Sequence, residues 1–286
     1  VEPPAETPTR RLRLTVHYAG GAFAGWQLQP TARTVQGELE RALFQITRTH
    51  SRVFGASRTD AGVHALGQVA HVDTPSEIDC VRLRRGLNAV LPPDVSVWEL
   101  EEAPSDFHAR FSAKGKHYRY LLLNGPCRSP LVSDRAWHVP GELDLERMRA
   151  GARALIGRHD FRALVSRPDG DGDCHRTLTL VRVEAQPWGP ARWVAIDVLG
   201  EGFLYKMVRT IAGTLCELGA PGAQGCAEAQ VRELLASRDR TQAGATAPAH
   251  GLFLCRVFYE TLPETLPPPP VPVSMGTGAQ PEGGYR

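Results

Sequence analysis

The first regular pattern in the chain is "RLRLTVHY", where Leu12, Leu14, Val16 and Tyr18 alternate with polar residues at the period of a half-buried strand. After the turn "AGGAFAGWQ", Val35, Leu39, Leu43 and Ile46 recur at helical spacing, and Thr34 stands where an N-cap belongs. Two strand-like runs follow, "RVFGASR" and "GQVAHVD", joined by a bend around Asp60. A helix opens at Asp79, contains Val81, Leu83, Leu87 and Val90, and ends before Pro92 and Pro93; "VSVWEL" is a further strand. The order is strand, helix, strand, strand, helix, strand.

That order then returns. "KHYRYLLL" reads as a strand, and Asp144 opens a helix carrying Leu145, Met148, Ala152 and Leu155 that Gly157 stops. "TLTLVRVEA" and "RWVAIDVLG" are strands, and the helix "FLYKMVRTIAGTLCELG" presents Leu204, Val208, Ile211, Leu215 and Leu218 on one stripe. A short helix near Val231–Leu235 precedes the last strand, "LFLCRVFYE". Each half is thus a split βαβ unit. The fold class is α+β, with two ferredoxin-like halves whose antiparallel sheets lie side by side, helices on the outer face and a cleft between the halves. No residue-level repeat relates the halves, so the duplication rests on element order alone. The divisions are 1–10 as a flexible N-terminal extension, 11–109 as the first half, 110–260 as the second, and 261–286 as a flexible Pro/Gly-rich tail with no catalytic part.

A chain of 286 residues, 42% hydrophobic, has material for one large core or two ordinary ones. It holds no apolar run of the roughly 18 residues that a membrane helix needs. The start "VEPPAETPTR" is acidic and proline-rich, unlike a positively charged leader, so a soluble, cytoplasmic protein without a membrane partner is expected. The six cysteines form no C-x-x-C pair, and the adjacent Cys174 and His175 are poorly placed to share one tetrahedral ion, so no metal and no disulfide framework is expected. Net charge is only +2. The ends, however, hold five of the 31 acids and one of the 33 bases, leaving 26 acids and 32 bases over residues 10–259. That mild basic excess is compatible with a nucleic-acid partner.

Three groupings could carry chemistry. In "GASRTDAGVHALGQVAH", Asp60 has an ordinary reading as a turn residue. The bend is nonetheless long for a hairpin and gathers Arg58, Thr59, Asp60 and His64 on a loop framed by strands. Arg209 lies about 140° around the helix from Leu204, away from the apolar stripe, and is either solvated or turned to the cleft. In the second case it would hold a neighbouring Asp60 ionised, as a nucleophile or base requires. The run "FHARFSAKGKHYRY" interleaves Phe107, Phe111, Tyr118 and Tyr120 with His108, Arg110, Lys114, Lys116 and Arg119. This suits either RNA, with bases on rings and phosphates on cations, or an edge strand with aromatics inward. "AGGAFAG" lacks the dinucleotide spacing, and there is no Walker loop, no G-x-S-x-G and no H-E-x-x-H, so no cofactor is expected.

These segments together make the chain resemble the TruA family, tRNA pseudouridine synthase I, over roughly residues 11 to 260. The resemblance is carried by "YAGGAFAGWQLQPTARTVQGELERAL", "GASRTDAGVHALGQVAH", "LNAVLPPDVSVW", "FHARFSAKGKHYRY", "GRHDFRA", "GFLYKMVRTIAGTL" and "APAHGLFLCRVFY", in that order. The departures are the proline-rich ends and the loop "SRPDGDGDCHRT".

The resemblance implies isomerisation of uridine to pseudouridine at positions 38, 39 and 40 in the anticodon stem-loop of tRNA, by a homodimer with tRNA spanning both subunits. It puts Asp60 at the catalytic aspartate, Arg209 at its arginine partner, Tyr118 at the tyrosine stacked on the target base, and Leu252 on the apolar wall. Arg58 falls at the residue tied to base flipping, and His108, Arg110, Lys116 and Lys206 are expected to contact RNA. The ionised carboxylate would act as nucleophile at C1′ or remove a proton from C2′; both routes stay open. Two rival functions fit the sequence less well. A non-catalytic RNA-binding protein lacks support because neither half has the aromatic RNP1 pattern, and a hydrolase of small nucleosides fits poorly with so extended a basic, aromatic run.

Overall fold

The computed structural model describes residues 9–166, 172–188 and 191–266, the side chains of 186–188 and 191 excepted. The N-terminal extension through residue 8, segment 167–171 of the "SRPDGDGDCHRT" loop and the tail from 267 lie outside the described residues, and so do the expectations that fall on them.

Strand β1 (Arg10–Tyr18) follows directly from its alternation, with Leu12, Leu14 and Val16 wholly buried. Helix α1 (Val35–Thr47) starts where Thr34 Oγ1 accepts the Gly37 N–H, supplying one of the partners that a first helical turn lacks. Strands β2 (Val53–Gly55) and β3 (His64–Thr74), helix α2 (Cys80–Val90, capped by Asp79) and strand β4 (Val95–Ala103) complete the first half. The second half comprises β5 (Gly115–Asn124), β6 (Trp137–Val139), α3 (Leu145–Ala154, capped by Asp144), β7 (Gly157–Asp160), β8 (His175–Trp188) and β9 (Ala191–Gly200). Helices α4 (Met207–Leu218) and α5 (Ala227–Ser237) and strand β10 (Leu252–Phe258) close it.

The strands form one sheet in the order β4-β1-β3-β10-β5-β9-β8-β7, with β2 on β3 and β6 on β5. In β10-β5-β9-β8 the last main strand of the half lies beside the first, the first beside the third, and the third beside the second. The series β4-β1-β3 with β2 repeats that arrangement, so both halves are ferredoxin-like with antiparallel main strands, and only the short β6 lies parallel to its partner β5 within a half. The expected pair of adjacent sheets is therefore a single continuous sheet. Its seam is parallel and short, with Phe253 opposite His64 and Leu254 opposite Ala65. One buried cluster runs through both halves beneath the helices, and a smaller one, with Leu121, Trp193 and Phe253, covers the opposite face.

The seam creates the site. Strand β2 occupies the edge of β3 from Ala70 to Val72, and β10 occupies the same edge at His64 and Ala65. The chain from 56 to 63 must leave the sheet between them, and it carries Asp60 into the space where the halves diverge.

Five elements differ from expectation. Helix α4 begins at Met207, so Leu204 is not on its stripe. Lys206 sits in the left-handed region at φ 59°, which stops the helix and turns 203–206 into a cleft-facing loop. Val81 is 52% exposed and lies off the buried stripe of Leu83 and Leu87. Strands β6 and β7, of three and four residues, are too short to show a period. Helix α5 extends beyond the short Val231–Leu235 segment on both sides.

Candidate active site

The Asp60 loop is held by its backbone. Ala56 N–H donates to Val69 O at 2.7 Å, continuing the sheet by one residue. Gln68, wholly buried, then grips the backbone of Ser57 on both sides of its Cα: Oε1 accepts from Ser57 N at 3.2 Å and Nε2 donates to Ser57 O at 2.7 Å. Thr59 Oγ1 and Tyr18 Oη pair at 2.7 Å, Thr59 O accepts the Trp26 N–H, and Val63 N–H closes the turn onto Asp60 O.

The glycine-rich turn "AGGAFAG" earns its composition here. A Cβ on Gly20 would lie 2.0 Å from Val63 O, and one on Gly25, at φ +107°, would lie 2.8 Å from Thr59 O. Backbone packs on backbone at both places, which only glycine permits.

Arg209, on the first turn of α4, donates from Nη1 to Asp60 Oδ2 at 3.0 Å and from Nε to Ala247 O at 2.8 Å. Both members of the pair are mostly buried, at 14% and 19% side-chain exposure. The guanidinium is thus fixed on two sides. Asp60 Oδ1 has no hydrogen-bond partner among the described residues, which leaves one carboxylate oxygen for chemistry. Segment 245–247 reaches this position only because Gly213 of α4 carries no side chain, since a Cβ there would lie 1.7 Å from Ala245 O.

Asp60 opens onto a cleft of about 530 Å³ drawn from both halves. Tyr118 of β5 lines it, its hydroxyl paired with Ser57 Oγ at 2.7 Å and its ring meeting Phe203 edge-on at 5.0 Å. Burial pushes the Tyr118 phenol up to about 12, against the opposing effect of the Ser57 bond. Leu252, at the start of β10, supplies an apolar wall.

Arg58, Arg110, Lys116, Lys206 and Arg52 stand around the same cleft, and among the described lining residues the only carboxylate facing these five cations is Asp60. His108 joins them on the rim. Burial, assisted by the charge of Arg110, brings Lys116 down to about 8. The structure therefore gathers Asp60, Arg209, Tyr118, Leu252, Arg58, His108, Arg110, Lys116 and Lys206 at one place, with Arg209 reaching Asp60 from beneath and the others on its walls. No three His, Cys, Asp or Glu side chains converge among the described residues as a metal site would require, and no described helix is long and apolar enough to cross a membrane.

Comparison with known proteins decides the class. The family profile of the tRNA pseudouridine synthases matches residues 14–112 and 152–260. The chain belongs to the tRNA pseudouridine synthase family. It is 42% identical over 250 residues to tRNA pseudouridine synthase A of Acetivibrio thermocellus, covering 87% of this chain and all of that protein. It is 44% identical over 255 residues to the enzyme of that name in Geobacillus kaustophilus, covering 88% of this chain and 95% of that one. The corresponding protein of Syntrophotalea carbinolica is 43% identical over 248 residues, covering 87% of this chain and 96% of that one. The protein is accordingly an isomerase, a pseudouridine synthase, which retires the binding-module and hydrolase rivals.

Several members of this synthase's site escaped sequence reasoning. Gln68 left one signal: with Ala70 and Val72 it falls on the buried face of β3, where an amide must have partners. Phe203, Ser57 and Ala247 left none, because their roles arise from contacts between distant segments.

Proposed function

We propose that the enzyme isomerises uridine to pseudouridine at positions 38, 39 and 40 of the anticodon stem-loop of tRNA. In this reading Asp60 is the catalytic carboxylate, Arg209 its positioning partner, and Tyr118 and Leu252 the surfaces that hold the base. A cytoplasmic homodimer, as the family resemblance implies, belongs to the same proposal, each subunit being divided into halves 11–109 and 110–260.

The observation that carries the reading is the Asp60–Arg209 pair, anchored through Ala247, at the inner end of a cleft otherwise ringed by cations. Isomerisation breaks the N1–C1′ bond, turns the uracil and rejoins it through C5, releasing the C5 hydrogen. The carboxylate oxygen left without a partner can attack C1′ or take a proton from C2′. A stacked target must first be extruded, at about a few kcal/mol, and exposed Arg58, two residues from Asp60, can occupy the gap it leaves. The freed ring stays between Tyr118 and Leu252 while it turns. Phosphates of the flanking strand meet the rim cations, which supply affinity independent of the chemistry.

The test is tritium release from tRNA carrying C5-labelled uridine. Wild-type protein should release tritium from labels at the three positions, and Asp60→Ala should release none while still binding tRNA. Equal release by Asp60→Ala would remove the carboxylate from the reaction, and release from uridines elsewhere in tRNA alone would overturn the assignment of position.

A further inference from the structure

Phe111 is a large apolar side chain left 77% exposed on the wall of the cleft. It stands on a turn built to keep it there. The Ser112 N–H donates to His108 O at 2.9 Å, while His108 Nδ1 accepts from both Arg110 N and Phe111 N, at 3.1 and 3.2 Å. The His71 ring in turn fixes Ala109, accepting its N–H at Nδ1 at 3.1 Å.

Behind Phe111 the rings of His108, His71 and Phe54 form a contiguous cluster. Its ring lies 4.3 Å from that of His108, His108 lies 4.6 Å from His71, and His71 stacks on Phe54 at 5.1 Å. Arg110 lies over Phe111 and Arg52 over Phe54, at 5.7 and 5.2 Å. Phe111 is thus backed by the His108 ring and accompanied by the Arg110 guanidinium, yet 77% of the side chain stays exposed. A rigid, exposed aromatic beside cations is the arrangement that stacks an unpaired nucleobase while its phosphates find charge.

We propose that Phe111 is a stacking platform for an unpaired RNA base that flanks the target uridine, holding the loop open while the uridine occupies the Asp60 end of the cleft. This rests on the tRNA reading above. The occupant is a base, not a second protein chain, because the lining presents five cations against one carboxylate that is itself paired with Arg209. It differs from the Tyr118 position, which is buried and edge-packed against Phe203 and serves the flipped base.

The experiment uses the full chain as wild type, Phe111→Ala, Phe111→Leu and Phe111→Trp, with tRNA carrying 2-aminopurine at each anticodon-loop position in turn. Binding should quench one loop position with wild type and Phe111→Trp but not with Phe111→Ala. Affinity should fall about 5- to 150-fold in Phe111→Ala, be kept by Phe111→Trp, and stay low in Phe111→Leu, which is apolar without a π face. Unchanged quenching and affinity in Phe111→Ala, while wild type releases tritium from the same tRNA, would overturn the platform and leave the tRNA reading standing. Absence of tritium release by wild type would instead remove the reading on which it rests. A change of oligomeric state in Phe111→Ala with RNA binding intact would make the patch a contact between copies and also overturn the proposal.

Discussion

Arg209 and Asp60 lie 149 residues apart in sequence and 3.0 Å apart in space, and the bond between them joins the two halves at the floor of the cleft. Because the Nε of Arg209 is held by Ala247, the arginine acts as a bracket that sets the angle of the carboxylate. Arg209→Met should therefore lower tritium release by at least about 100-fold, the low end for losing a correctly placed base, with tRNA affinity changed far less. An active variant would take Arg209 out of the mechanism.

Tyr118→Phe keeps the ring against Phe203 and removes the bond to Ser57. The loss of one such bond is worth about 1 kcal/mol, so kcat should fall less than about tenfold. A dead variant, measured in single turnover, would show that the hydroxyl transfers a proton.

Gln68→Leu leaves Ser57 N and O unpaired and deprives Tyr18 Oη of a donor. Stability should drop by roughly 2–4 kcal/mol in urea titrations, since buried polar groups left without partners cost more than a bond gains. Residual enzyme below the transition should turn over slowly, because the Asp60 loop has lost its clamp.

Lys116 sits in the cleft with its ammonium held down to about 8 by burial and the nearby Arg110 charge. It loses its proton as pH rises through that value, so tRNA binding should weaken between about pH 7.5 and 9. Lys116→Met should be weaker than wild type below about pH 8, flat over that range and matched by wild type at its upper end, with a salt dependence at neutral pH shallower by about one ion. A wild-type affinity that does not change across it would exclude Lys116 from phosphate contact.

His64 and His71 are buried acceptors: His64 Nδ1 takes the Gly20 N–H at 3.0 Å and His71 Nδ1 the Ala109 N–H at 3.1 Å. Burial lowers both to about 4, with the Arg135 charge acting on His64 and those of His108 and Arg11 on His71. The unfolded chain takes up these protons first, near 6.5, so the contribution is complete above that pH and is lost as pH falls toward about 4. Melting temperature should decline over that interval, and His71→Asn, which keeps an acceptor that does not titrate, should decline less.

Much of the fold was legible because its determinants are local. The alternation in β1, the caps at Thr34, Asp79 and Asp144, and the stripes of α1 and α3 each act within a few residues, where steric and hydrogen-bonding rules depend little on the rest of the chain. Asp60 was legible as a candidate because its loop concentrates polar groups between strands.

Tertiary structure alone decided that β10 shares an edge of β3 with β2, since a two-residue parallel seam leaves no periodic trace in sequence. It also decided that α4 starts after a left-handed Lys206, that Gln68 grips Ser57, and that Phe111 stands uncovered while Tyr118 is enclosed. These features depend on which distant surfaces meet. Local propensity sets the pieces, and the burial and hydrogen bonding available only after assembly set how they join.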